Sequence, residues 1–287
     1  MTDQLLGNNL IQQSCYDANT LRLTDLRFYP GALQSCVVVN PANARLNLSY
    51  VYQNNGNISQ IVDATRSETL TYTYDELDRL DIVSGAYSLD YNYNAIGNIT
   101  AKGTTTYTYG SSAHKHAVTA LGTGESYSYD ANGNMTTRVE GGSTYTQAFD
   151  TQNRLTSVTV SGQVTQFLYD PDGNLVKKIK PDGSKTLYIA GIYEVDKTSG
   201  GTVTGTKTYY PAAGAMRIGS TLYYVLKDHL GSASVLTDAI GNPVTGADTR
   251  YYPFGEARFS TTPMLTDKLF TGQREITGLG IYHYEGR

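Results

Sequence analysis

The chain has no tryptophan, only two cysteines and four methionines among 287 residues, and just 17% of its residues are charged. Globular proteins usually carry roughly 25% charged residues, so the surface must be finished with something else. No apolar run is long enough to cross a bilayer as a helix, in keeping with a mean hydropathy of -0.35. The first residues, MTDQLLGNNLIQQS, lack the basic start and apolar stretch of a secretory signal. If the protein acts outside the cell, another segment or machine must export it. No window shows a helical period. The net charge of -4 and pI near 5.6 leave no basic face to neutralise phosphates, which argues against a nucleic-acid binder. The one basic cluster, Lys177, Lys178, Lys180 and Lys185, flanks a turn and reads as a solvated hairpin edge. Two cysteines do not make a disulfide framework. The reading favours free, partly buried thiols at Cys15 and Cys36 over a bridge between them.

What is there is tyrosine: 25 residues against 6 phenylalanines. A tyrosine ring can cover a half-wet surface while its hydroxyl finds a partner, which suits thin sheets better than a deep apolar core. The tyrosines come in a repeated phrase, Y-S-Y-D-A-N-G-N at Tyr127 to Asn134. Its variants include YVYQNNGNI from Tyr50, YTYDELDRL from Tyr72, YNYNAIGNI from Tyr91, YTYGSSAHK from Tyr107, QAFDTQNRL from Gln147 and FLYDPDGNL from Phe167. The period settles at about 20 residues, within the range of repeat arrays.

Each phrase predicts one hairpin. Tyr72 and Tyr74, or Tyr127 and Tyr129, alternate with small residues and therefore share a face. Asp130 to Gly133 and Asp170 to Gly173 make turns, in which Asp accepts backbone N–H groups and glycine takes the positive φ. Asn134 and Asn174 close the turns after Tyr129 and Tyr169, and an aliphatic residue opens the returning strand. A lone hairpin is marginal in water, so each must stack on its neighbours. The fold class expected is all-β: tandem antiparallel β-hairpins forming a curved, spiralling sheet. Residues 1–45 read as an irregular or degenerate first unit, 46–186 as the hairpin array, and 187–287 as a region with a changed phrase.

That last region carries, in order, DHLGS (Asp228, His229, Gly231), TDAIGN (Asp238, Gly241), YYPFGEAR (Tyr252, Pro253, Gly255) and FTGQREITGLGIYHYEGR (Gly272, Gly278). Preceded by the tyrosine–aspartate units, this series resembles the RHS/YD-repeat proteins and their RHS-associated core, over roughly residues 46–287. Relatives of that kind include bacterial Rhs polymorphic toxins, the C component of insecticidal Tc toxin complexes and the teneurin shell. The resemblance implies a long β-strip that spirals into a hollow shell, and in the bacterial members a shell that encloses a C-terminal toxin. It implies a secreted or cell-surface, bacterial setting, with a toxin or other polypeptide cargo and further shell segments as partners. Family members usually continue past a motif like Tyr284–Arg287 into a self-cleaving segment and the toxin, so this chain is expected to be a partial shell without either.

Sites that invite chemistry have plainer readings. Asp130-x-Asn132-x-Asn134 and Asp170-x-Asp172-x-Asn174 look like the start of a calcium loop. Glycine sits at the fourth position rather than the sixth, and Gly141 and Pro181 stand where a bidentate Glu is needed. His114 and His116 have no Cys or carboxylate cluster nearby to complete a metal site. Asp228, His229 and Ser232 sit on no nucleophile elbow, and the chain has no G-x-S-x-G. Three of the N-x-[ST] sequons, at Asn57, Asn98 and Asn134, arise from the repeat itself, and Asn47 adds a fourth. No enzyme, cofactor or metal is therefore expected. Three partner readings remain: an enclosed polypeptide, self-association through open sheet edges, and glycans or a protein surface stacked on exposed tyrosine rows.

Overall fold

A computed structural model describes residues 2–37, 41–260 and 264–284. Residues 285–287 of the terminal Tyr284–Arg287 motif lie outside them. Among the described residues there are twenty-seven strands and two short 3-10 helices, with no α-helix. This is the all-β fold of tandem antiparallel hairpins that the alternating tyrosines imply. Pairings between consecutive strands are antiparallel throughout, as in Ser143–Phe149 against Leu155–Val160.

The two ends of each strand turn differently. One end carries the Asp-to-Asn turn. The other carries tight connections such as Ser161-Gly162, which joins Val160 to Gln163 with both residues at positive φ (50 and 75°). That backbone twist matches the twist of the flanking strands.

The chain forms two compact units. One comprises Met1–Asp78, Val83–Tyr87 and Lys207–His283. Here the residues before the array form ordered hairpins: Thr2–Leu5 pairs with Leu10–Tyr16, which pairs with Leu23–Pro30, followed by Leu46–Tyr52 and Ile58–Asp63. Their apolar faces pack against Ala215–Ile218, Thr221–Lys227 and Ala233–Thr237. Leu10, Leu26, Phe28, Leu46 and Leu48 make one core with Ala215, Tyr224, Leu226 and Val235. Each such leucine contributes about 1.5–3 kcal/mol by leaving water. Ala233–Thr237 is buried along its whole length, because Met216, Leu236 and Ala247 form a second cluster on its other face.

The other unit comprises Arg79–Ile82, Ser88–Thr206 and Tyr284–Arg287. It is a ladder of half-buried strands: in Ser143–Phe149 partly covered and exposed residues alternate for most of the length. Tyrosine rings cover one face, and threonines such as Thr144 and Thr146 stand exposed on the other.

Two expectations need correcting. Cys15 and Cys36 are joined in a disulfide with Cα atoms 5.8 Å apart. The loop after Leu23–Pro30 folds back over the strand that carries Cys15, and the Gln13 amide donates to the Gln34 carbonyl (2.6 Å) to hold it there. The lysine cluster does flank a turn, Lys180–Ser184, but it is not a solvated edge. Lys178 is buried and Lys177 and Lys185 are half-buried, so that only Lys180, at the turn, is exposed. In a strand a side chain two places along shares the face, which puts Lys178 in the covered row that holds Thr186 opposite it.

Candidate functional site

The repeated turn is built around its aspartate. The Gly133 N–H donates to the Asp130 carbonyl (3.1 Å), and the Asp130 N–H to the Asn134 carbonyl (3.0 Å). The Asp130 carboxylate accepts from the backbone of Asn132 and Asn134 (both 2.9 Å) and from the Asn134 amide (2.9 Å). Asp170 is satisfied the same way by Asn174. The Asn134 side chain, followed by backbone N–H groups, holds the Asp130 carboxyl below the usual carboxylate range, and Asn174 does so for Asp170. Gly133 and Gly173 take positive φ (86 and 90°). The strand then gains one residue: Tyr129 faces Met135 but Ser128 faces Thr137, so Thr136 bulges out. The Thr136 hydroxyl donates to the Ser128 carbonyl (3.3 Å), as those of Thr156 and Ser59 do to Ala148 and Val51. The hydroxyl in the sequons at Asn57 and Asn134 is thus a bulge residue.

The second tyrosine of each phrase reaches back one repeat. Tyr74, Tyr93, Tyr109 and Tyr169 donate to the carbonyls of Ile58, Leu80, Ile99 and Leu155 at 2.8–2.9 Å. Each acceptor is the aliphatic residue just after the preceding turn. Burial pushes the Tyr169 hydroxyl up to about 12, so it stays a donor. In QAFD the aromatic is Phe149, which has no hydroxyl. There the Gln147 amide donates to the Met135 carbonyl (2.7 Å) instead.

Turns also bond to each other, in two alternating forms. The Asn132 and Asn134 amides both donate to the Asn153 side chain (3.1 and 2.9 Å), and Asn55 and Asn57 do the same to Asp78. Asn153 and Asp78 occupy the position that is glycine in other turns, at positive φ (61 and 59°). The next residue is then arginine. Arg154 donates to the Asp170 carbonyl (3.1 Å) and lies over the Tyr169 ring, and Arg79 acts likewise on Asn94 and Tyr93. Arg22, in the earlier Asp17 turn, reaches the Gln53 carbonyl and the Tyr52 ring.

The divergent YTYGSSAHK repeat keeps this relay with other groups. His114 Nε2 bonds the Asp130 carbonyl (3.0 Å), in the place of an arginine, and the Asn98 amide donates to the Lys115 carbonyl (2.8 Å). His116 Nδ1 bonds the Asn98 side-chain oxygen (2.6 Å). Among the described residues no cluster of three metal-ligating side chains exists.

In the later motifs the same turn recurs at Asp228–Ser232, Asp238–Asn242 and Tyr252–Glu256. Asp228 accepts from the Leu230 and Ser232 backbones, and Pro253 holds the second turn position. His229 is mostly buried, its ring 4.7 Å from that of Tyr50. Burial, opposed by the Asp228 charge, pushes His229 down, which keeps it neutral. Ser232 Oγ accepts from the Thr271 backbone (3.1 Å), and among the described residues no hydrogen bond joins His229 to Ser232. Gly241 and Gly255 are close approaches as well as left-handed positions: an added Cβ would meet the Asn8 carbonyl at 2.9 Å and the Phe270 ring at 2.6 Å. Gly272 and Gly278 also take positive φ.

An ion-pair line that no motif or spacing announces runs between the early strands and these motifs. Arg250 pairs with Asp63 (2.7 Å) and Asp248, Arg66 with Glu68 and Asp248 (3.1 Å), and Arg258 with Glu68. Burial works against the Glu68 charge, but Arg258 and Arg66 outweigh it and hold its carboxyl below the usual range.

A family model described as Teneurin YD-shell matches residues 30–273. Two solved structures share the fold. "Crystal Structure of TcdB2-TccC3-TEV" aligns with a TM-score of 0.74 at 19% identity, over 97% of this chain. "Crystal Structure of TcdB2-TccC3" aligns with a TM-score of 0.72 at 18% identity, over 99%. The chain spans only 16% and 17% of those two chains. No curated protein matches the sequence.

Proposed function

Because the chain belongs to the Teneurin YD-shell family, we propose that it is a non-catalytic structural segment of a β-shell that encloses or presents another polypeptide, a toxin or other cargo. The observation that carries this is where the reactive-looking groups go. The turn aspartates, the second tyrosines, His114 and Ser232 are engaged in hydrogen bonds that hold one hairpin to the next or close a turn. His229 is neutral and packed against Tyr50. What remains is a wall. The same reading puts the protein outside the cell, secreted or at a cell surface.

An adhesion module that binds through its tyrosine rows is the weaker alternative. The second tyrosine hydroxyls, which such binding would use, already donate to backbone carbonyls.

The test uses the full natural protein with a photo-crosslinking residue placed singly on each face. Thr71 is exposed on the threonine face, and Tyr72 is half-covered on the tyrosine face. Crosslinks to the enclosed polypeptide from one face only are expected. Crosslinks from neither face, with the protein folded, would overturn the proposal.

A further inference from the structure

One strand of the late region, Pro243–Tyr251, breaks its ladder. Thr237 faces Pro243 but Val235 faces Asp248, so two steps along one strand span five along the other. Three residues are therefore extra, and the backbone passes through Gly246 at φ 76°. Bulges re-aim side chains and recur beside functional sites. This one opens a pocket of about 390 Å³ between the loop before Leu46–Tyr52 and the turn after Ile58–Asp63, with no tyrosine among its described lining residues. That volume lies in the range of small-ligand sites, which pair apolar walls with a few convergent polar groups.

The walls include Val235, Val244 and Ala247, and the charged side chains at the pocket are Arg45, Arg66 and Asp248. Asp248 is already satisfied, by Arg66 on one carboxylate oxygen and Arg250 on the other. The two arginines are not. Arg45 Nε donates to the Gly241 carbonyl (2.8 Å) and Nη1 to the Asn43 carbonyl (3.2 Å). Among the described residues no carboxylate pairs with Arg45, which is only half-buried. Arg66 uses Nε on Glu68 and Nη1 on Asp248, and its guanidinium lies 3.7 Å from the centre of the Phe259 ring. Each guanidinium is thus fixed in place with its Nη2 left over. A held guanidinium with N–H groups to spare matches a carboxylate in both shape and charge.

We propose that this pocket binds an aliphatic monocarboxylate, with its oxygens on Arg45 and Arg66 and its alkyl chain against Val235, Val244 and Ala247. The walls give the alkyl chain a place to leave water. Asp248 sets the limit on charge: a second negative charge on the ligand would be repelled by it, which disfavours a phosphate dianion. This chemistry has two sources, a free short-chain acid and the C-terminal residue of a polypeptide. The site is independent of whether the protein encloses a cargo, since it needs only the pocket.

The experiment is titration of the full chain at neutral pH, followed by the methyl NMR signals of Val235 and Val244. The probes are butyrate, acetate, butanol, phosphate and N-acetyl-glycyl-valine. Butyrate is expected to shift both signals and to bind at least about fivefold more tightly than acetate, which is two methylenes shorter. Butanol, without the charge, and phosphate, with too much, should bind more weakly than butyrate by a similar factor of about five. Arg45→Gln keeps a donor for the Gly241 carbonyl but no charge, and should weaken butyrate binding at least about tenfold with the melting temperature unchanged. Arg45→Lys should recover part of that loss. Whichever of butyrate and the dipeptide binds more tightly identifies the source. No shift with either of those two, binding of acetate, butanol or phosphate as tight as that of butyrate, or full affinity in Arg45→Gln would each overturn the proposal.

Discussion

A tyrosine hydroxyl and a glutamine amide do the same work in this chain. At most repeats the second tyrosine supplies a donor to the carbonyl just after the preceding turn. At Phe149 the donor comes from Gln147, whose oxygen also accepts from buried Arg138 Nε (3.1 Å). Gln147→Ala leaves two partly buried groups without partners and should cost about 1–3 kcal/mol in urea unfolding. Adding Phe149→Tyr to that variant should recover part of the loss, because its hydroxyl would then sit as Tyr169's does. No recovery would mean that the carbonyl is not the feature being served. A second residue-scale test concerns Asn153, held at φ 61°. Asn153→Ala loses both amide partners and strains the backbone, whereas Asn153→Gly loses only the partners. The alanine variant should therefore be less stable than the glycine variant by about 1 kcal/mol. Such exchanges were hidden in the sequence. A phrase match scores Phe149 and Asn153 as lapses, and the partners that make them sensible lie one repeat away.

At the scale of the element, the turn was the legible part. Asp, Gly and Asn at fixed offsets specify it chemically, and the structure puts each to the use its chemistry suggests. The alternation of turns was on the page as GN, DR, GN and GN, NR, GN, but its meaning needs neighbouring turns side by side. The turns also set an acid limit. Asp130, Asp150 and Asp170 have carboxyls held low, by the Asn134 side chain, the Arg154 backbone and the Asn174 side chain first in each case. A depressed folded value means stability that is present above the unfolded value, about 3.9, and lost as pH falls through the folded one. The urea midpoint should be flat from about pH 5 to 7 in respect of these groups and fall below about pH 4. A steady decline beginning near pH 6 would point to histidine instead.

For the whole molecule, the unit built from the chain's early and late strands is where the sequence was least informative. Strand periodicity says which residues face inward, not which strands they will meet, so neither the Leu46–Leu226 core nor the Asp63–Arg250 pair could be read from it. Both partners of that pair are almost covered. Removing one leaves the other charge buried, so Asp63→Ala should cost about 3–5 kcal/mol. The Cys15–Cys36 bridge, separated by 21 residues, went against the sequence reading, which favoured free thiols because two cysteines make no framework. Its reduction should lower stability by about 3 kcal/mol, if the bridge acts by restricting the unfolded chain.

The central claim, that this chain is wall and not machinery, is tested most directly by protease protection in the full natural protein. The enclosed polypeptide should be cleaved far more slowly with the wall intact than after Asp63→Ala loosens it. If it is cut as fast with the intact wall as when it is free, the chain does not enclose it and the account is wrong.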